Sequence, residues 1–68
     1  MPILKVISSD ELHKEISLHG YSIKELSKKV GVTEQYLSSV VRGNRSPSPP
    51  LAKRISNVLN SNVKDFFL

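Results

Sequence analysis

The chain has 68 residues, no cysteine, and ten Lys and Arg against six Asp and Glu, for a net charge of +4. That length allows one domain, in which roughly 60% of the unfolded surface becomes buried, and the lack of cysteine removes disulfide staples and thiolate metal sites. No apolar run approaches the roughly 18–20 residues of a membrane span, and there is no Gly-rich phosphate loop, no nucleophile–base set and no room for a substrate cleft, which excludes an enzyme and a small-molecule substrate.

Pro2–Ile7 (PILKVI) is short and rich in β-branched residues, a strand or an extended arm. It lacks the charged start, long core and small-residue cleavage site of a signal peptide. Met1 favours a whole protein over a fragment. Residues 1–8 are expected to form an apolar arm or strand and residues 9–68 the domain proper. Ser8 with Glu11 is a capping box, and a first helix is predicted over Asp10–His19, ending at Gly20, with a thin apolar seam of Leu12, Ile16 and His19.

Ser22 and Glu25 make a second capping box. The helix Ile23–Val30 puts Ile23, Leu26 and Val30 on one side at spacings of three and four. Ser27 lies on that inner side, where a small residue admits a neighbouring helix. Gly31 supplies the left-handed residue that ends it. Thr33 caps a third helix over Glu34–Arg42. At about 100° per residue, Tyr36, Leu37, Val40 and Val41 share one side, and Glu34, Gln35, Ser38, Ser39 and Arg42 the other. Gly43 ends this helix and the loop Asn44–Pro47 follows. Ser48 caps a fourth helix with Pro49 at its first position, whose buried side is Leu51, Ala52, Ile55, Val58 and Leu59. Val63, Phe66 and Phe67 predict a closing helical turn. The architecture is therefore all-α, a compact bundle of about five short helices.

Charge is unevenly placed. Residues 21–54 hold seven Lys and Arg against two Glu, a net +5, whereas residues 1–20 come to −1 and 55–68 to zero. A positive surface around a helix with a short-chained polar face suits a polyanion, and the major groove of DNA in particular.

Residues 21–67 resemble the Cro/repressor-type helix-turn-helix domain of phage repressors and bacterial Xre-like regulators. Leu26, Val30, Gly31 and Val32 carry the match through the turn, then Thr33, Leu37 and Val40, then Gly43 and Arg45, and LAKRISNVLNSNVKDFF fits the family's fourth and fifth helices. Ser27 stands where the family usually has alanine. Ile23 stands where it often has a phosphate-touching glutamine. Pro49 and Pro50 remove two backbone donors. The resemblance implies a lambda-repressor-like fold with the helix-turn-helix at helices 2 and 3, reading operator DNA, commonly as a homodimer.

In such proteins the second helix of the motif enters the groove while the first crosses the backbone. Glu34, Gln35, Ser38 and Ser39 are then the expected base contacts: Gln35 pairs with adenine N6 and N7, and Glu34 accepts from cytosine N4. Thr33, Arg42, Asn44, Arg45, Ser46, Lys24 and Lys28 are the expected phosphate contacts. Tyr36 is read as core or boundary packing, and Lys53 and Arg54 as a solvated face. His13 and His19 are six apart and do not stack on a helix, so no metal or cofactor is expected. The function expected is a sequence-specific double-stranded DNA-binding transcriptional regulator, a repressor of phage, plasmid or mobile-element type, in the cytoplasm at the nucleoid, on a two-fold symmetric operator. Two alternatives remain. One is a protein-interaction module such as an antitoxin, suggested by the apolar Ile3, Leu4, Val6, Ile7, Phe66, Phe67 and Leu68, which otherwise complete the core. The other is a non-specific nucleoid binder.

Overall fold

Side-chain hydroxyls start four of the helices. The amide of Glu11 donates to Ser8 Oγ (3.3 Å) ahead of α1, Ser9–Leu18. Ser22 Oγ does the same for Glu25 (3.1 Å) ahead of α2, Ile23–Val30. Thr33 Oγ1 serves Tyr36 (3.1 Å) ahead of α3, Glu34–Val41, and Ser48 Oγ serves Leu51 (3.3 Å) ahead of α4, Pro49–Val58. Each bond satisfies one of the amides that a helix start leaves without an intrahelical partner. The last helix, α5 (Val63–Phe66), starts differently: the Asn62 amide donates to the Asp65 carboxylate at 2.9 Å.

The computed structural model describes residues 3–68; Met1 and Pro2, the tip of the expected arm, lie outside the described residues. Helix ends differ from the sequence expectation by a residue. α1 starts at Ser9 and leaves His19 as its cap, and α3 stops at Val41 with Arg42 as its cap. The physical reason is the fold-back that a left-handed residue allows after each cap, which takes the preceding residue out of the regular helix.

The core draws on every helix: Leu12 and Ile16 from α1, Leu26 and Val30 from α2, Leu37, Val40 and Val41 from α3, Leu51, Ala52 and Ile55 from α4, then Leu59, Phe66 and Phe67. The Cα radius of gyration is 10.4 Å, near the ~11 Å expected for a single packed unit of this length. Two expectations need correction. His19 does not extend the α1 seam; it is exposed, with Nδ1 2.9 Å from its own helix's Glu15 carbonyl. Val58 is half-buried, whereas Ser56, not assigned to the core from sequence, is buried because its hydroxyl donates to the Ala52 carbonyl at 2.8 Å.

The arm is an extended segment that closes on the chain's other end. Lys5 and Leu68 exchange both backbone hydrogen bonds (2.9 and 2.8 Å), and the Ile7 amide donates to the Phe66 carbonyl at 2.8 Å. Val6 and Phe67 form the isolated antiparallel bridge between them. Successive side chains of an extended segment alternate in direction. Leu4 and Val6 therefore pack on the core, while Ile3 and Ile7 stay 64% and 54% exposed. The apolar ends thus complete the core with only their inner halves. Phe67 anchors this closure, buried beside Phe66 in an edge-on pair with centroids 6.5 Å apart. Replacing it with alanine should cost about 3–5 kcal/mol, a large share of the ~5–15 kcal/mol that holds a small domain together. Urea unfolding of Phe67→Ala against Leu68→Ala, whose side chain is exposed and should be near neutral, checks this.

Candidate nucleic-acid interface

The unit that positions the polar face of α3 is α2, a turn of three residues, and α3 itself. α2 begins with a complete capping box: besides the bond to Ser22 Oγ, the Ser22 amide donates to Glu25 Oε1 at 3.1 Å. That backbone hydrogen bond holds the Glu25 carboxyl below its ordinary value, with the Ser22 hydroxyl and, more weakly, the Lys28 charge adding to it. α2 packs on both α3 and α4. Ser27 sits inside this packing, 3% exposed, and its hydroxyl is satisfied by the Lys24 carbonyl at 2.7 Å. A small side chain is what the site requires, and the hydroxyl leaves no unpaired polar atom behind.

The turn is made at Gly31, whose φ of 78° is the left-handed conformation glycine adopts without strain. The amides of Gly31 and Val32 both donate to the Ser27 carbonyl, at 2.9 and 3.0 Å. A third restraint comes from α4: Arg54 Nη1 donates to the Val30 carbonyl at 3.4 Å, across 24 residues of sequence. Arg54 is thus a brace on the turn as well as a solvated cation, a role the sequence reading missed. Positive charge at a helix C-terminus is the general signal for it, but the partner is set only by tertiary packing.

α3 buries Leu37, Val40 and Val41 and half-buries Tyr36. Its opposite side presents Glu34, Gln35, Ser38, Ser39 and Arg42 around one open concavity of about 630 Å³. Glu34, Gln35 and Arg42 are exposed, and Ser38 and Ser39 are half-buried, low in the surface. The four residues expected to meet bases are therefore brought together. Thr33 lies at the start of this helix, exposed, with its oxygen already accepting the Tyr36 amide.

At the far end, Gly43 turns the chain with φ 84°, and the Asn44 and Arg45 amides fold back onto the Ser39 carbonyl at 2.9 and 3.3 Å. Arg42 lies along its own helix, Nε donating to the Ser38 carbonyl at 3.4 Å. The Arg45 guanidinium carbon stands over the Tyr36 ring, 5.4 Å from its centroid. Asn44, Arg45 and Ser46 are exposed, as are Lys24 and Lys28 on α2. A second concavity, between α1 and the chain's C-terminal end, is lined by Glu11, Glu15 and Asp65 with Lys14, so three of the six acidic residues gather there.

This geometry is that of a helix-turn-helix, and residues 14–66 match the helix-turn-helix family model. The chain belongs to that family, in its Cro/C1, Xre-like form. Among similar proteins, an uncharacterized HTH-type transcriptional regulator of Archaeoglobus fulgidus is 36% identical over 50 residues, 74% of this chain and 71% of that one. One of Methanocaldococcus jannaschii is 31% identical over 52 residues, 76% and 79% of the two chains. The HTH-type transcriptional regulator SinR of Bacillus subtilis is 42% identical over 45 residues, which are 65% of this chain but 40% of SinR. No solved structure matches the chain significantly. The chain is a DNA-binding transcriptional regulator of helix-turn-helix type rather than an enzyme.

Two outcomes test the local physics of the motif. A Cβ at Gly31 would meet nothing within 4 Å, so Gly31→Ala should cost only the strain of placing a non-glycine residue in the left-handed conformation, about 1–2 kcal/mol, as a lower urea midpoint with unchanged slope. Glu25 titrates lower in the folded than in the unfolded chain, so its contribution is complete above the ordinary glutamate range and is lost as pH falls through the folded value. The destabilisation caused by Glu25→Ala should accordingly be present at neutral pH and shrink on acidification, as read from denaturant unfolding at a series of pH values.

Proposed function

We propose that this regulator is a sequence-specific repressor of phage, plasmid or mobile-element type that reads the major groove of double-stranded DNA with α3. The observation that carries the reading is the open concavity of Glu34, Gln35, Ser38, Ser39 and Arg42 on a helix whose other side is buried. The groove admits one helix and offers each base pair a distinct donor and acceptor pattern. Gln35 takes adenine through N6 and N7, and Glu34 accepts from cytosine N4. Ser38 and Ser39, short and set low, let the helix sit deep and bond to base or phosphate. Thr33, Arg42, Asn44, Arg45, Ser46, Lys24 and Lys28 hold phosphates, which orients the protein and makes affinity fall with salt.

The regulator acts as a homodimer on a two-fold symmetric operator, with half-sites about 34–36 Å apart or a multiple of that, at the nucleoid in the cytoplasm. Among the described residues, no helix is long and apolar enough to cross a membrane. A second reading, a module that binds another protein and touches DNA secondarily, is favoured by one observation: Ile3, Ile7 and Leu68 expose their side chains at the closure of the two termini. In-vitro selection from random duplexes separates the readings, since a symmetric consensus supports the first and no enrichment the second.

On the selected site, Gln35→Ala should cost about 1–3 kcal/mol and relax one base position. Arg45→Ala should weaken selected and random duplexes alike and flatten the salt slope. Equal loss from Gln35→Ala on both duplexes, in titrations at several salt concentrations, would remove Gln35 from base reading.

A further inference from the structure

We propose that Tyr36 is a positioning residue for DNA binding: its ring face holds the Arg45 guanidinium where a backbone phosphate arrives at the end of α3. The inference rests on the reading of Arg45 as a phosphate contact and adds what places it.

Arg45 is fixed at both ends. Its backbone is tied down after Gly43, where its amide and that of Asn44 share the Ser39 carbonyl. Its guanidinium carbon lies 5.4 Å from the Tyr36 ring centroid, inside the roughly 6 Å over which a cation is held by a ring's electron-rich face. Tyr36 is itself half-buried on α3, next to Leu37 of the core, so the platform moves with the helix that carries the polar face. The chain's two other arginines, Arg42 and Arg54, are held differently, through N–H bonds to the Ser38 and Val30 carbonyls. A ring face attracts the cation but offers no oxygen lone pair, whereas phosphate recognition uses the guanidinium N–H edge. The ring therefore orders the side chain without a hydrogen-bond acceptor that the phosphate must displace, and the rotamer freedom lost on binding phosphate is already reduced in the free protein. A carboxylate partner would instead compete with the phosphate for the same edge.

The test keeps an aromatic ring at position 36 with only small changes in size while altering the charge on its face. Tyr36→Phe and ring-fluorinated phenylalanines at position 36 are prepared with Arg45 and with Arg45→Ala, folding is checked by thermal melting, and affinity is measured for a short random-sequence duplex at fixed salt. Tyr36→Phe should bind like the unsubstituted protein. Fluorination should weaken binding stepwise, by about two- to fivefold in all, and should change nothing in the Arg45→Ala background. Flat affinity across the fluorinated series, or the same decline in both backgrounds, overturns the positioning role while leaving Arg45 as a phosphate contact if Arg45→Ala weakens binding. An Arg45→Ala protein that binds as tightly as the original overturns both.

Discussion

A helix that must offer its polar side to a ligand has to be held entirely by its apolar side. α3 has eight residues, far below the ~12–15 that an isolated helix needs even to be marginal in water. Its conformation and aim therefore come from Leu37, Val40 and Val41, all fully buried against the rest of the core. Everything else in the domain serves that grip. α2 lies close because Ser27 is small and internally bonded, Gly31 turns the chain within the space available, and Arg54 reaches from α4 to the last turn of α2. The outer side of α3 contributes less to this packing: Glu34, Gln35 and Arg42 are exposed, and Ser38 and Ser39 are half-buried.

The order of helices was readable because their starts are written in contacts three residues long. Ser8, Ser22, Thr33 and Ser48 each meet a partner at that spacing, and the first-turn proline after Ser48 fits a position without an amide requirement. Periodicity was equally direct for α3, where one angular step per residue separates Leu37 and Val40 from Gln35 and Ser39. What could not be read lies across long separations or runs against residue type. Val6 meets Phe67 from the opposite end of the chain, Arg54 meets Val30, and Arg45 meets Tyr36 only after the Gly43 turn has reversed direction. Ser56 looks like a surface residue by composition and is internal because its hydroxyl is satisfied by its own helix. His19 shows the reverse error, continuing a seam on paper while the backbone has already begun to turn away.

The closure of the termini has the same logic as the helix caps at a larger scale. A chain this small gains by tying an otherwise loose arm to the last residues of α5 and laying Leu4 and Val6 over the core. The alternation of an extended segment then turns Ile3 and Ile7 outward whatever their chemistry. Their exposure follows from the register that buries their neighbours, which is why the arm counts first as part of the domain and only secondarily as a surface.

The basic segment poses a different problem, since cations gathered for a polyanion repel one another in its absence. Here the arginines rest on groups that do not cancel their charge: Arg42 on the Ser38 carbonyl in the last turn of α3, Arg54 on the Val30 carbonyl ending α2, and Arg45 on a ring face. Lys28 and Lys29 likewise occupy the last turn of α2. Helix C-termini carry partial negative charge and favour cations there without a full countercharge. An ion pair with a carboxylate would stabilise the free protein comparably at an exposed site, where such pairs contribute only about 0–1 kcal/mol, yet it would have to be broken before a phosphate could take its place. Resting the charges on helix ends and an aromatic face holds these side chains in place without a full countercharge beside them.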